Sequence, residues 1–208
     1  MRGIDIYHGD GDIDFVKVKN DGVDFVIAKM GGSEKTSGRW TDPRFYENIL
    51  KAKDAGLHVG AYFFAGEWSC NSEEGRRDAE YAIKVLSGVK LDFPVFYDFE
   101  APTAAGWKGN TDACIAFCET MEAAGYYVGI YASDISGFKE RLDMPKLYSY
   151  DFWVARYGSF PKYVPESRVC IWQQTSNGSV NGVDGRVDVD ECYIDYPSII
   201  IPKHFNNY

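Results

Sequence analysis

The run Phe93-Pro94-Val95-Phe96-Tyr97-Asp98-Phe99-Glu100 is apolar at first and ends in two acids one residue apart. Successive β-prone apolar residues are expected of a strand buried on both faces, as in a parallel sheet covered by helices. Side chains at i and i+2 of a strand point the same way, about 6.5–7 Å apart at Cα, so Asp98 and Glu100 project together from the strand's end. Paired carboxyls at that range suit acid/base work on a glycosidic bond. The same residues read equally as a strand that runs out into solvated acids, and the flanking sequence has to decide.

Upstream, residues 72–86 have helical periodicity, with Ser72 as the cap and Ala79, Ala82, Ile83 and Leu86 inward. Residues 57–64 read as a strand and 43–55 as a helix closed by Gly56. Residues 23–29 form another strand. The polar, glycine-rich stretch 31–42, flanked by Lys29 and Trp40, reads as a long functional loop. Residues 12–20 make a short helix whose start takes Asp12 and Asp14, and residues 2–7 the first strand. Downstream come a helix over 111–124 and a strand over 126–132. A short helix over 133–142 follows, then strands over 152–156, 168–174 and 187–189.

Eight strands alternating with about five helices, without a dinucleotide-binding glycine fingerprint, predict an α/β fold: an irregular (β/α) TIM-like barrel. The last strands are not fully followed by helices and have room to run antiparallel. Residues 1–196 form the expected catalytic barrel and 197–208 a C-terminal tail or the start of a linker.

The 208 residues fit one large domain, and a net charge of −9 argues against nucleic acid or a polyanion held by broad electrostatics. No stretch is apolar enough to span a bilayer and no export signal is visible, so no membrane insertion is expected, and the chain is expected to be a monomer. Five cysteines with no Cys-x-x-Cys pair read as free buried thiols.

Catalytic groups of such barrels sit at the C-terminal ends of the strands. There the first strand offers Asp5, the fourth Asp98 and Glu100, and the last Asp188, so acids from separate stretches converge on one mouth. Tyr7, Tyr62, Phe64, Tyr131, Tyr157 and Trp172 fall at strand ends too, where flat rings stack on sugar faces. His8 follows the first strand as a candidate substrate contact, and Lys29 braces a carboxylate or caps its strand. Asp190 reads as a surface residue and His58 as a structural one.

These residues carry a resemblance. Gly3-Ile-Asp-Ile-Tyr-His-Gly9, with Ile13-Asp-Phe15 after it, resembles the opening of the family-25 glycoside hydrolases, lysozymes of the Chalaropsis type that include phage endolysins. Asp24-Phe-Val-Ile-Ala-Lys29, Ala55-Gly-Leu-His-Val-Gly-Ala-Tyr-Phe-Phe64, Tyr97-Asp-Phe-Glu100, Trp153-Val-Ala-Arg-Tyr157, Ile171-Trp-Gln-Gln174 and Val187-Asp-Val-Asp190 follow in the family's order. The resemblance implies a muramidase that cleaves the β-1,4 bond between N-acetylmuramic acid and N-acetylglucosamine, acting at the bacterial cell wall with peptidoglycan as its partner and no cofactor. It makes Glu100 the general acid/base, Asp98 the carboxylate that assists the substrate's 2-acetamido group, Asp5 and Asp188 supporting acids, and Gln173 a cleft residue. Two departures stand out: Phe63 where many relatives have His, and the Asp190-Glu191-Cys192 end. The missing signal suits phage-type release or a domain excised from a longer protein.

Two rivals remain. One is a metal-dependent peptidoglycan-modifying hydrolase using Asp5, His8 and Asp98, which insensitivity to a chelator would remove. No His-x-x-x-His or His-Glu-x-x-His pattern supports it, and no metal is expected. The other is a non-catalytic glycan-binding module, whose expected mark, loss of an acid at 98 or 100, is absent.

Overall fold

A computed structural model describes residues 1–101 and 106–208. In chain order its elements are β1 (Arg2–Ile6), α1 (Phe15–Asn20), β2 (Phe25–Glu34), β3 (Gly38–Thr41), α2 (Phe45–Asp54), β4 (His58–Phe64) and α3 (Ser72–Val85). Then come β5 (Val95–Asp98), α4 (Gly106–Ala123), β6 (Val128–Ser133), β7 (Asp151–Ala155), β8 (Val169–Gly178), β9 (Val187–Cys192) and α5 (Pro197–Ile200). The strands pair in the order β1-β9-β8-β7-β6-β5-β4-β2 and close through β1–β2 into a barrel of eight, with β3 attached outside to β2. All barrel pairs are parallel except those of β9, which is antiparallel to both β8 and β1.

The irregular last third follows from its connections. β6 and β7 are joined by a π-helical turn, Asp134–Lys139, and a 3-10 turn, Met144–Leu147; β7 and β8 by the 3-10 turn Glu166–Arg168. No helix lies between β8 and β9, and without a crossover helix the chain returns antiparallel. Among the described residues no helix is long and apolar enough to cross a membrane, and all five cysteines are free, Cys70 half-buried and the others buried.

Residues 31–42 are a β-hairpin, not a loop. β2 continues through Gly31-Gly32-Ser33-Glu34 and turns back as β3. Gly31 makes this possible: its φ is 148°, and a Cβ there would lie 2.0 Å from the Trp40 carbonyl oxygen. Two helix starts also differ from expectation. Asn71, in extended backbone, caps α3 by accepting from the Glu74 amide, which leaves Ser72 inside the helix; Asp14, not Asp12, caps α1. Asp12 pairs instead with Lys51.

The sheet is buried on both faces, as its unbroken apolar runs require. Phe25, Ile27, Phe93, Phe96, Trp153 and Ile171 fill the barrel interior. Val26, Ala28, Val59, Val95 and Tyr97 pack outward under the helices. Phe63 belongs to this outer core, 6.4 Å from the Tyr97 ring and 6.0 Å from Phe117, so its departure from the family pattern does not reach the barrel mouth. The residues after Tyr196 lie against the barrel floor. Buried Asn206 donates to the Phe93 carbonyl and accepts from the Tyr127 amide, and Ile200 packs into the interior cluster.

The hairpin is pinned to α3 by one buried acid. Asp78 accepts from Arg39 Nε at 2.7 Å, from the Tyr97 hydroxyl at 2.7 Å and from Ser69 and Ser33. Removing the guanidinium leaves that charge buried and short of partners, at a cost of about 3 kcal/mol. Arg39→Met is therefore expected to lower Tm by about 6–12 °C at neutral pH, measured by thermal unfolding.

Candidate active site

Interior-facing residues at the C-terminal ends of the parallel strands and at the N-terminal end of antiparallel β9 meet in one cavity of about 170 Å³. Asp98 and Glu100 reach it together from the end of β5, as their i, i+2 spacing dictates. Asp5 from β1, Lys29 from β2, Tyr62 from β4, Tyr131 from β6, Gln173 from β8 and Asp188 from β9 line it as well, with Tyr157 just beyond β7. Glu100, Tyr131 and Tyr157 also border a larger cavity of about 350 Å³ beside it, lined by Ser133, Ser136 and Arg141. The two share these three residues and so make one groove.

The acids of the pair differ in surroundings. Asp98 is buried, and among the described residues its Oδ1 meets no hydrogen-bond donor. Burial lifts its carboxyl well above the usual range, the Glu100 charge adds to this, and Lys29 opposes it. Glu100 is lifted too, chiefly by burial, against the pull of Lys29 and Arg141. Arg141 also donates to the Glu100 backbone carbonyl. The two carboxyls titrate as a pair, so the proton they retain belongs to both. Asp188 is pushed up to about 6 by burial and by the charges of Asp10 and Glu100.

Lys29 sits among rings. Its Nζ lies 4.5 Å from the Phe64 centroid, 5.5 Å from Tyr62, 5.6 Å from Trp40 and 6.0 Å from Tyr7, a range at which ring quadrupoles attract a cation. The hairpin that Gly31 permits brings Trp40 to this cluster. Lys29→Met removes the cation that holds both acids down, so their titration is expected to move to higher pH. Carboxyl-carbon NMR across a pH series measures the shift.

Several residues lie elsewhere than the sequence suggested. Trp172 points out of the barrel, donating to the Arg156 carbonyl at 2.8 Å and packing 5.3 Å from Phe160. Its neighbour Gln173 takes the inward position. His8 turns its Nδ1 to Asp42 at 2.8 Å and does not line the cavity. His58, by contrast, keeps the structural place read for it, bonded to Asp92 beneath the barrel at the start of β4. Trp153, Ser176, Arg141 and Asp190 were missed. Asp190 is 1% exposed, not a surface residue, because β9 turns 188 and 190 to the same inner face. The alternation Val187-Asp-Val-Asp190 was the available signal. Among the described residues no three His, Cys, Asp or Glu side chains converge as metal ligands.

Comparison with known proteins agrees with this geometry. The sequence model of "Glycosyl hydrolases family 25" matches residues 4–183. An autolytic lysozyme of Clostridium acetobutylicum is 30% identical over 197 residues, 92% of this chain, which spans 55% of that protein's length. The solved CTP1L endolysin superposes with a TM-score of 0.82 at 28% identity, covering 97% of this chain and 69% of its own. A bacterial lysozyme from Streptomyces coelicolor gives a TM-score of 0.74 at 26% identity, covering 93% of this chain and 92% of its own. With a family match over most of its length and a barrel that gathers the acids of the Asp98-Phe99-Glu100 strand end, the chain belongs to the glycosyl hydrolases of family 25.

Proposed function

We propose that this domain is a lysozyme-type N-acetylmuramidase, which cleaves the β-1,4 bond between N-acetylmuramic acid and N-acetylglucosamine in bacterial peptidoglycan and works at the cell wall as a monomer. The observation that carries the reading is the buried Oδ1 of Asp98, two residues from Glu100 and without a donor among the described residues. A substrate 2-acetamido N–H supplies the missing hydrogen bond. A bond to the ionised form favours ionisation, so binding shifts the pair's proton toward Glu100.

Glu100 then gives that proton to the glycosidic oxygen as the leaving sugar departs. The acetamido carbonyl oxygen closes on the anomeric carbon, and Asp98 stabilises the positive charge that develops on the ring so formed. Glu100, now a carboxylate, takes a proton from the water that opens it. This is the substrate-assisted route, an exception to the rule that reads stereochemistry from carboxylate spacing. The rings around Lys29, with Tyr131 and Tyr157, suit the apolar faces of sugars.

Mass spectrometry of digested peptidoglycan tests the bond. New reducing-end muramic acid is expected; new reducing-end glucosamine would overturn the assignment.

A further inference from the structure

We propose that Asp190 is a positioning residue that holds one proton jointly with Asp5 and, through Asp5, fixes the amide of Gln173 beside the cleft. The positioning role rests on the muramidase reading; the shared proton does not.

The argument begins with register. β9 pairs Asp190 with Gly3 of β1 on one side and with Gln173 of β8 on the other, and sets Asp188 opposite Asp5. The side chains of Asp5, Gln173 and Asp190 therefore converge inside the barrel. Asp190 Oδ1 accepts the Trp153 indole N–H at 2.8 Å. Among the described residues its Oδ2 is buried and meets no donor, while Asp5, two residues beyond Gly3 on the same face of β1, brings its carboxyl within hydrogen-bonding reach of Asp190. Two bare carboxylates in that position repel strongly in a dry interior. One proton between them turns the repulsion into an O–H···O bond and gives the orphaned oxygen its partner.

The surrounding charges favour keeping that proton. Asp188 adds negative charge, and Tyr62, Tyr131, Tyr157 and Cys192 face the pair as neutral groups. Burial is the largest influence on both acids, raising Asp5 well above its usual range and Asp190 to about 8.

The pair then orients its neighbour. Asp5 Oδ2 accepts from Gln173 Nε2 at 2.8 Å, which turns Oε1 of the amide to the hydroxyls of Tyr131 at 2.9 Å and Tyr157 at 3.0 Å. Both tyrosines border the groove with Glu100.

Asp190→Asn separates the proton from the shape. Asn still accepts from Trp153 and donates to Asp5 at every pH. The folded wild type retains a proton that the unfolded chain releases above its ordinary carboxyl range, so stability from this pair is present at low pH and lost as pH rises toward 8. The fall in Tm between pH 5 and pH 8 is expected to be about 5 °C smaller in Asp190→Asn than in the wild type; parallel curves would overturn the proposal. A second measurement guards against misfolding of that variant. In Asp98→Asn, which removes the buried aspartate next to Glu100, residue-assigned carboxyl-carbon NMR of Asp5 and Asp190 at pH 6.5 is expected to show one proton still held between them, and full ionisation of both would refute the pair. For positioning, Asp190→Leu should lower kcat about tenfold on solubilised glycan strands that contain the muramic acid–glucosamine bond, while Asp190→Asn retains it. Equal losses in both variants would reject that role.

Discussion

Glu100→Gln is expected to abolish lysis of purified cell walls, a loss of about 10³-fold, with the fold intact. Gln keeps the shape and polarity of Glu100 but has no proton to give the leaving oxygen and cannot take one from water, and general acid/base catalysis supplies about 10²–10⁴-fold. The side chain needs no charge to stay folded. Burial raises its carboxyl, which means the structure tolerates the neutral form well. Turbidity clearing on wall preparations, with thermal unfolding as control, checks both halves. A variant that keeps most of its activity would sink the catalytic assignment.

Asp98→Asn is expected to be nearly as damaging, about 10²- to 10³-fold and mainly in kcat. On the proposed substrate-assisted route, Asn still accepts the acetamido N–H, so binding survives, but it lacks the negative charge that would stabilise the cationic ring in the transition state. The same substitution should stabilise the protein at high pH. The Asp98 carboxyl is raised well above its unfolded value by burial, so its contribution to stability is complete at low pH and falls as pH rises through the folded titration. Wild type and variant should unfold alike near pH 4 and diverge toward pH 8, with the variant the more stable. A loss confined to KM, or parallel unfolding curves, would contradict this account.

The barrel, its strand ends and the acid pair were legible in the sequence because they rest on local periodicity. A strand repeats every two residues, so Asp98 and Glu100 had to share a face wherever the strand lay. Helices such as α2 and α3 showed their apolar stripe, and the unbroken apolar runs of β4 and β5 marked a sheet covered on both sides. The hairpin after Lys29 was not legible. Glycine-rich polar residues read as a loop until Gly31 is seen beside the Trp40 carbonyl and Ser33 beside Asp78.

Local sequence alone sets the order of the elements, the shared face of Asp98 and Glu100 and the ordered motifs of the family. Only the tertiary structure decided which face of each strand points inward. A strand buried on both sides carries no alternation of polarity to mark the core, so Trp172 and Trp153 look alike in sequence. Register separates them: Trp153 lies beside Ile171 and Ala155 beside Gln173, which sends Trp172 outward. The same register turns Asp190 from a residue read as solvated into one sealed against Asp5, because its environment is made by β1, β8 and β9 together.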